Sequence, residues 1–422
     1  PFSVLFGVRG GGLAWPGTTG WWVLGALGLV LVVLTVLVAT IPRRLRKRRT
    51  RVDRAAAYMG RDRDVEDLTR KSAQAKAQRL GVASSPGVPI GRTVSSSQWL
   101  YGSWEDMHID IWGPRTGKTT SRAVPAILDA PGSVLVTSNK RDVVDATRDV
   151  RAKAGPVWVF DPQGIAVEEP SWWWNPLSYV TDEVRAAKMA EHFAAGSRDP
   201  GAKTDAYFDP AGQDLLAGLL MAAALSRRPI TDVYTWLTRP TDETAVDILR
   251  EHDFALTADQ VAGVVSAPEK QRGGIYGTAM QMASCLTNRQ VAAWVTPQGA
   301  ADLRPQFLPE DFVHGTGGTL YSLSKEGRGT AGPLVTALTV AVVEAAEELA
   351  ARSTGGRLTT PLLGVLDEAA NVCRWRELPN LYSHYGSRGI ILMTILQAWS
   401  QGVEVWGESG LKTLRSASNV KV

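Results

Sequence analysis

Hydrophobic and polar positions divide the chain into an apolar N-terminal segment, a series of short apolar runs and a long region with helical periodicity. The first segment, Trp21 to Ile41, is 21 residues long and carries no charge. As a helix it spans about 31 Å, enough to cross a bilayer. Seven arginines and lysines follow within residues 43–51, and the positive-inside rule then places everything after residue 42 in the cytoplasm. We therefore predict a transmembrane helix over 21–41.

The segments on either side of this helix complete the predicted N-terminal region. Residues 1–20 would form an external segment, of which Pro1 to Gly7 is apolar enough to be the end of an earlier membrane helix. Because residue 1 is proline rather than methionine, we expect the numbering to start inside a longer chain or after processing. Residues 42–86 would be the basic stop and a cytoplasmic linker.

Short apolar runs separated by helical segments fill much of the remaining chain. This alternation is typical of a parallel sheet with both faces covered, so the chain is predicted to have an α/β fold. Such sheets carry their functional groups at the carboxyl ends of the strands. The predicted strands are 91–95, 108–112, 133–138, 157–160, 319–322, the run that begins at Leu362, and 390–395.

Residues 180–300 have helical periodicity throughout, which predicts an all-alpha insertion. It divides the α/β domain into a first part, 87–179, and a second part, 301–422. A long helix rich in alanine and valine, 332–351, precedes the strand at Leu362. Because residues 416–422 begin another strand, we expect this domain to be truncated at its C-terminus.

A glycine-rich segment, Trp112-Gly-Pro-Arg-Thr-Gly-Lys-Thr-Thr120, follows the strand at 108–112. In a P-loop the backbone N–H groups wrap the phosphates, Lys118 reaches the β and γ oxygens, and the Thr119 hydroxyl binds Mg²⁺. The full pattern places glycine where this chain has Trp112. Either the turn is one residue shorter, or Gly113 is its flexible corner. The predicted nucleotide-binding residues are Gly113, Pro114, Arg115, Thr116, Gly117, Lys118, Thr119 and Thr120.

The strand that begins at Leu362 ends in two carboxylates, almost 250 positions after the glycine-rich segment. Asp367 would hold Mg²⁺ together with Thr119, and Glu368 would polarise the attacking water. Each half alone is a modest signal. Together and in this order they predict a P-loop ATPase that uses ATP and Mg²⁺.

Four further features have two interpretations each. Gln397 ends the strand at 390–395, where it would sense the γ-phosphate or simply meet solvent. Arg388, in the turn before that strand, is a candidate arginine finger acting in trans, or a surface arginine. Residues 172–174 are three tryptophans that either stack nucleic-acid bases or, as we favour, form a packing corner. Asp161 would contact nucleotide or polar backbone, or serve only as a turn residue before Pro162.

Charge and cysteine content exclude two other classes of protein. The formal charge is +4, but without the seven basic residues of 43–51 the balance is 39 basic against 42 acidic residues. The body is therefore not a broadly basic DNA-binding surface. The two cysteines, Cys285 and Cys373, and five scattered histidines provide no disulfide framework and no metal spacing.

Several segments in order resemble the type IV coupling proteins of conjugation and type IV secretion (TraG/TraD class), in an actinobacterial form. They include the membrane helix with its basic stop and seven motifs. The motifs are GPRTGKTTS (113–121), TSNKRD (137–142), VFDPQG (159–164), WWNPL (173–177), LLGVLDEAANV (362–372), LPNLYSHYGSRGI (378–390) and ILQAWSQ (395–401). The resemblance implies a RecA-like P-loop fold with an inserted all-alpha domain, anchored in the bacterial inner membrane and in contact with its lipids.

The resemblance also implies a function and a role for each site residue. Such proteins assemble as rings, here a hexamer, and hydrolyse ATP to feed DNA, a relaxase–DNA complex or a secreted protein to a type IV secretion channel. By resemblance, Lys118 and Thr119 bind nucleotide and Mg²⁺, and Asp367 holds the metal. Glu368 activates water, Gln397 senses phosphate and Arg388 is the finger. Two alternatives remain: a double-stranded DNA pump of the FtsK/SpoIIIE type, and a substrate receptor that binds nucleotide without hydrolysing it.

Overall fold

The computed structural model describes residues 17–45, 58–60, 62–94, 96–197, 205–299, 301–327 and 330–422. The described residues fall into two compact units. The smaller holds the N-terminal helix, and the larger holds the chain from Asp62 onward apart from residues 94–96.

The N-terminal helix α1 covers Thr18–Leu45. Within it, the 19 residues Gly20–Val38 have a mean hydropathy of 2.6, and none of residues 21–38 is buried. Among the described residues, this is the one helix long and apolar enough to cross a membrane. It agrees with the helix predicted over 21–41, while its insertion into a membrane stays a prediction. Most of the expected external segment and of the basic cluster lies outside the described residues.

The larger unit is built on a seven-stranded sheet in the order β5-β6-β4-β7-β8-β3-β9. All its pairs are parallel, so all carboxyl ends lie at one edge. Six of these strands were predicted to within one residue, whereas of the segment 416–422, expected to begin another strand, only Val420–Lys421 pairs in the sheet. The seven strands are β3 (His108–Ile111), β4 (Val134–Ser138), β5 (Val157–Phe160), β6 (Thr319–Leu323), β7 (Leu362–Leu366), β8 (Ile390–Leu396) and β9 (Val420–Lys421).

Alternate residues of these strands belong to different buried clusters. In β7, Leu362 and Leu366 pack into the larger core, whereas Leu363 and Val365 pack into the smaller one. This alternation follows from the period of two along a strand. It explains why the strands read as continuous apolar runs, since both faces are covered.

Helices cover the sheet and fill the long connection between β5 and β6. They are α2 (Arg70–Arg79), α3 (Val124–Asp129), α4 (Asp142–Arg151), α5 (Glu183–Ser197), α6 (Phe208–Leu225), α7 (Thr231–Leu237), α8 (Thr244–Glu251), α9 (Ala255–Val265), α10 (Glu269–Met282), α11 (Arg289–Val295), α12 (Pro309–His314), α13 (Gly332–Arg352), α14 (Ala369–Val372), α15 (Leu378–Tyr385) and α16 (Trp399–Ala417).

The helices from α5 to α11 lie within the region predicted as an all-alpha insertion. Their buried residues belong to the same core as one face of the sheet. In particular, α5 packs on α13, the long helix between β6 and β7. The insertion therefore shares its core with the sheet, and its limits at 180 and 300 stay a prediction.

An antiparallel hairpin, β1 (Val88–Arg92) and β2 (Trp99–Gly102), lies outside the main sheet. The sequence predicted one strand at 91–95. The observed strand starts three residues earlier, and its partner β2 was missed. Arg92 lies over the Trp99 ring at 4.5 Å, which joins the two strands near the turn.

Candidate active site

Three strands deliver the predicted site residues to one edge of the sheet. The glycine-rich segment follows β3, Asp367 and Glu368 follow β7, and Gln397 follows β8. Because β8 lies between β3 and β7, the three carboxyl ends are neighbours in space. The expectation that the functional groups meet at this edge is confirmed by the topology.

The glycine-rich turn begins at Gly113. Trp112 still continues β3, since its N–H donates to the carbonyl of Leu396 at 3.0 Å. The left-handed φ angles fall at Arg115 (59°) and Gly117 (86°), not at Gly113. A Cβ at Gly113 would lie 3.8 Å from the Thr116 side chain, an ordinary contact. The turn is thus one residue shorter than the full pattern, and Gly113 is not its flexible corner.

Hydroxyl groups inside the loop close it on itself. The Thr116 hydroxyl donates to the Gly113 carbonyl at 2.6 Å, and the Thr120 hydroxyl donates to the Gly117 carbonyl at 3.1 Å. The chain then enters a π-helical turn, Thr119–Ala123, before α3. Turns of this kind are frequent at functional sites.

Lys118 and Thr119 contact the two carboxylates that follow β7. The Lys118 ammonium donates to Glu368 Oε1 and lies 3.6 Å from Asp367 Oδ1. The Thr119 hydroxyl donates to Asp367 Oδ2 at 3.3 Å. The Asp367 and Glu368 side chains are only 4% and 2% exposed. The loop and the two carboxylates therefore form a single buried polar site.

Glu368 lies in a strained backbone position and its carboxylate has several donors. Its φ and ψ are 57° and 42°, in the left-handed region that residues other than glycine rarely adopt. Gln397 Nε2 donates to Oε1 at 2.7 Å, and Asn371 Nδ2 contacts Oε2 at 3.3 Å. The strand end, the loop and the next strand thus all converge on this one carboxylate.

Burial raises the pKa of Asp367, and the neighbouring charge of Glu368 acts in the same direction, while Lys118 opposes both. Oδ1 of Asp367 is buried and makes no hydrogen bond with any residue that the structure describes. A buried carboxylate oxygen without a hydrogen-bond donor, next to a threonine hydroxyl, matches the oxygen ligands that Mg²⁺ prefers. The residues present therefore fit a magnesium ion.

Arg388 is not part of this cluster. It lies in a turn, Gly386–Arg388, directly before β8 and thus at the amino edge of the sheet. Its guanidinium pairs with Glu347 of α13. This position does not conflict with a role in trans at the site of another subunit, which stays a prediction. The chemical roles of the other site residues also stay predictions.

Asp161 and the tryptophan run serve the fold. The Asp161 carboxylate accepts hydrogen bonds from the backbone N–H groups of Ile165, Ala166 and Glu168, so it contacts polar backbone, as the first interpretation allowed. Trp172 and Trp174 are 4% and 0% exposed. The Trp172 ring packs at 5.3–6.0 Å against an aromatic cluster. The favoured interpretation, a packing corner, agrees with these contacts. The cluster consists of Trp158, Phe160, Trp294 and Phe307.

Two polar residues near Glu368 were not singled out from the sequence. Asn371 lies three positions after Glu368, one turn along α14, and this spacing was the signal that could have found it. Glu326, in the loop after β6, accepts from Asn371 at 2.9 Å and from Asn139 at 2.7 Å. No local pattern indicates Glu326, because its partners are remote in sequence.

Comparison with known proteins gives a family model and a set of solved structures. Residues 361–422 match the family described as the TraM recognition site of TraD and TraG. The conjugative coupling protein TrwBdeltaN70, unbound, superposes with a TM-score of 0.54 at 16% identity, covering 82% of this chain and 73% of that one. No curated protein sequence matches the chain significantly.

Two further structures contain bound nucleotide. TrwB with the ATP analogue ADPNP has a TM-score of 0.52 at 16% identity and covers 75% of this chain and 70% of that one. TrwB with ADP and Mg²⁺ has a TM-score of 0.54 at 16% identity and covers 82% and 76%. The chain therefore shares the fold of the TrwB coupling protein, and its residues 361–422 are similar to the TraM recognition site of TraD and TraG, which confirms the resemblance of its motifs.

Proposed function

We propose that this protein is a membrane-anchored ATPase motor of the conjugative coupling type. The observation that carries the proposal is the convergence of Lys118 and Thr119 with Asp367, Glu368 and Gln397 at one edge of a parallel sheet. This set combines a phosphate-binding lysine, oxygen ligands for a metal and a carboxylate base, which are the groups that P-loop hydrolysis requires.

Each residue would contribute one step to hydrolysis. The loop from Gly113 to Thr120 would bind the phosphates with backbone N–H groups, and Lys118 would move from Glu368 to the β and γ oxygens. Thr119 and Asp367 would hold Mg²⁺, which neutralises charge on the phosphates when bound. Glu368 would then be free to accept the proton of the attacking water, and Gln397 would contact the γ-phosphate. The TrwB complexes with ADPNP and with ADP and Mg²⁺ support this choice of ligands.

The family match supports the proposed cargo, whereas the proposed assembly rests on the resemblance of the motifs. The TraD/TraG segment at 361–422 supports a partner from the DNA-processing complex. We infer that the motor recruits DNA, a relaxase–DNA complex or a secreted protein and feeds it to a type IV secretion channel. Helix α1 would anchor the chain in the inner membrane, and the active form would be a homo-oligomer, by resemblance a hexamer.

ATP hydrolysis by the detergent-solubilised full chain tests the proposal. Wild type and Glu368→Gln are compared, each with and without single- and double-stranded DNA. We expect DNA-stimulated turnover that the substitution abolishes. A preference for duplex would favour a pump of the FtsK/SpoIIIE type. Nucleotide binding without turnover under every condition would refute the motor and leave a substrate receptor.

A further inference from the structure

Both oxygens of the Glu368 carboxylate are held in the structure, but by groups of different kinds. Oε1 accepts from Lys118 and from Gln397, and Oε2 has Asn371 as its donor. In the proposed hydrolysis, the Lys118 side chain leaves Glu368 to contact the phosphates, and the Gln397 side chain leaves it to contact the γ-phosphate. Asn371 is then the one of these three donors that keeps its contact with Glu368.

The orientation of the Asn371 amide is fixed by chemistry. Its Nδ2 group lies 2.9 Å from Glu326 Oε1 and 3.3 Å from Glu368 Oε2. An ionised carboxylate only accepts hydrogen bonds, so the NH₂ end and not the oxygen must face both groups. One amide therefore bridges two carboxylates, each N–H directed at one of them.

Glu326 is itself held in place from two sides. Asn139, at the end of β4, donates to the same Oε1 atom at 2.7 Å. The backbone just before Glu326 is fixed by Gln163, whose Oε1 accepts from the Lys325 N–H at 2.9 Å and the Ser324 hydroxyl at 3.0 Å. A series of hydrogen bonds therefore links the ends of β5, β6 and β4 to the Glu368 carboxylate, which follows β7.

We propose that Asn371, oriented by Glu326, is a positioning residue that holds the Glu368 carboxylate in line for proton transfer. The inference rests on the proposed ATPase function. The proposal gives neither residue a contact with the nucleotide. Their effect should therefore appear in the chemical step and not in binding, because a base displaced by about 1 Å loses on the order of a hundredfold in rate.

Steady-state ATP hydrolysis by the full chain tests this role with three variants and one control. Asn371→Ala removes the donor, Glu326→Ala removes its support, and Glu326→Gln keeps an oxygen that can accept from both asparagines. Asn380→Ala, at an exposed position of helix α15, is the matched control. Binding of a fluorescent non-hydrolysable ATP analogue and the thermal midpoint are measured for every variant.

We expect Asn371→Ala and Glu326→Ala to lower kcat by about tenfold to a hundredfold while KM and analogue affinity stay within about twofold of wild type. Glu326→Gln should recover most of the rate. Turnover of Asn371→Ala equal to that of Asn380→Ala, or a loss confined to KM, would overturn the proposal. So would a Glu326→Gln variant as slow as Glu326→Ala.

The wild type and Glu368→Gln are run alongside, so that two failures can be told apart. If wild type does not hydrolyse ATP, the proposed function fails. If wild type is active and Glu368→Gln inactive, but Asn371→Ala is unimpaired, only the positioning role fails.

Discussion

Arg122 and Asp110 form a buried ion pair that brackets the glycine-rich loop. Asp110 lies in β3 before the loop, and Arg122 in the π-helical turn after it. The side chains are 1% and 0% exposed, with Nε and Oδ2 2.8 Å apart. Arg122 also donates to the Pro89 carbonyl and contacts His108 Nδ1 at 3.1 Å. The substitution Arg122→Met keeps an apolar stem and removes the charge.

The expected loss of stability follows from this burial. Removing one partner of a buried pair leaves an uncompensated charge and costs about 3–5 kcal/mol. With an unfolding entropy of about 2.1 cal/mol/K per residue, this lowers the melting temperature of a body of this size by about 4–7 °C. Burial already raises the pKa of Asp110. Without Arg122 that pKa rises further, so the loss of stability caused by Arg122→Met should become smaller as the pH is lowered.

The assay is thermal unfolding of the detergent-solubilised full chain, followed by tryptophan fluorescence at pH 7.5 and pH 5.5. Arg141→Met is the matched control, because the Arg141–Asp145 pair is 54% and 53% exposed and should contribute little. The double variant Arg122→Met with Asp110→Leu removes both charges. It should be more stable than Arg122→Met alone, since no unpaired charge is left.

Two results would contradict a stabilising role for the buried pair. A shift for Arg122→Met no larger than that of Arg141→Met would show that the buried pair contributes nothing measurable. A double variant less stable than Arg122→Met alone would show that the unpaired Asp110 charge is not the source of the loss.

Three further predictions concern the site, the assembly and pH. Lys118→Ala should abolish nucleotide binding without unfolding the protein, with exposed Lys412→Ala as the control; unchanged hydrolysis would contradict the P-loop assignment. Arg388→Ala should reduce hydrolysis only in the oligomer, and an equal loss in a proven monomer would show that it acts within its own chain. Burial holds the pKa of His108 well below its usual range and lowers that of His192 to about 3. The unfolded chain takes up these protons at about pH 6.5 whereas the folded chain does not, so each histidine should reduce stability by about 1.4 kcal/mol per pH unit below that value. Melting curves at pH 7.5 and 5.5 should therefore differ less for His192→Gln than for wild type.

The central sheet was predictable because its strands are buried on both faces. Continuous apolar runs such as Val157–Phe160 and Leu362–Leu366 have the same bounds in the sequence and in the structure. The main site residues were predictable for a related reason. They follow their strands directly, and a parallel sheet brings the carboxyl ends of its strands to one edge.

What the sequence did not predict depends on contacts between distant residues. Strand β2 is short, mixes buried and partly exposed positions and has no strong local pattern. Glu326 approaches Asn371 only because β6 and β7 both flank β4 in the sheet. Such neighbours are set by crossover connections, whose strand order no local pattern encodes.

Arg388 shows how strand direction constrains a sequence-based site. Arg388 precedes β8 and Gln397 follows it, and a strand of seven residues separates its two ends by about 23 Å. Residues nine positions apart in sequence therefore lie at opposite edges of the sheet. Only the site of another subunit, placed against the amino edge of this one, could receive Arg388. The arginine finger and the oligomer are thus one prediction, and the Arg388→Ala comparison between monomer and oligomer tests both.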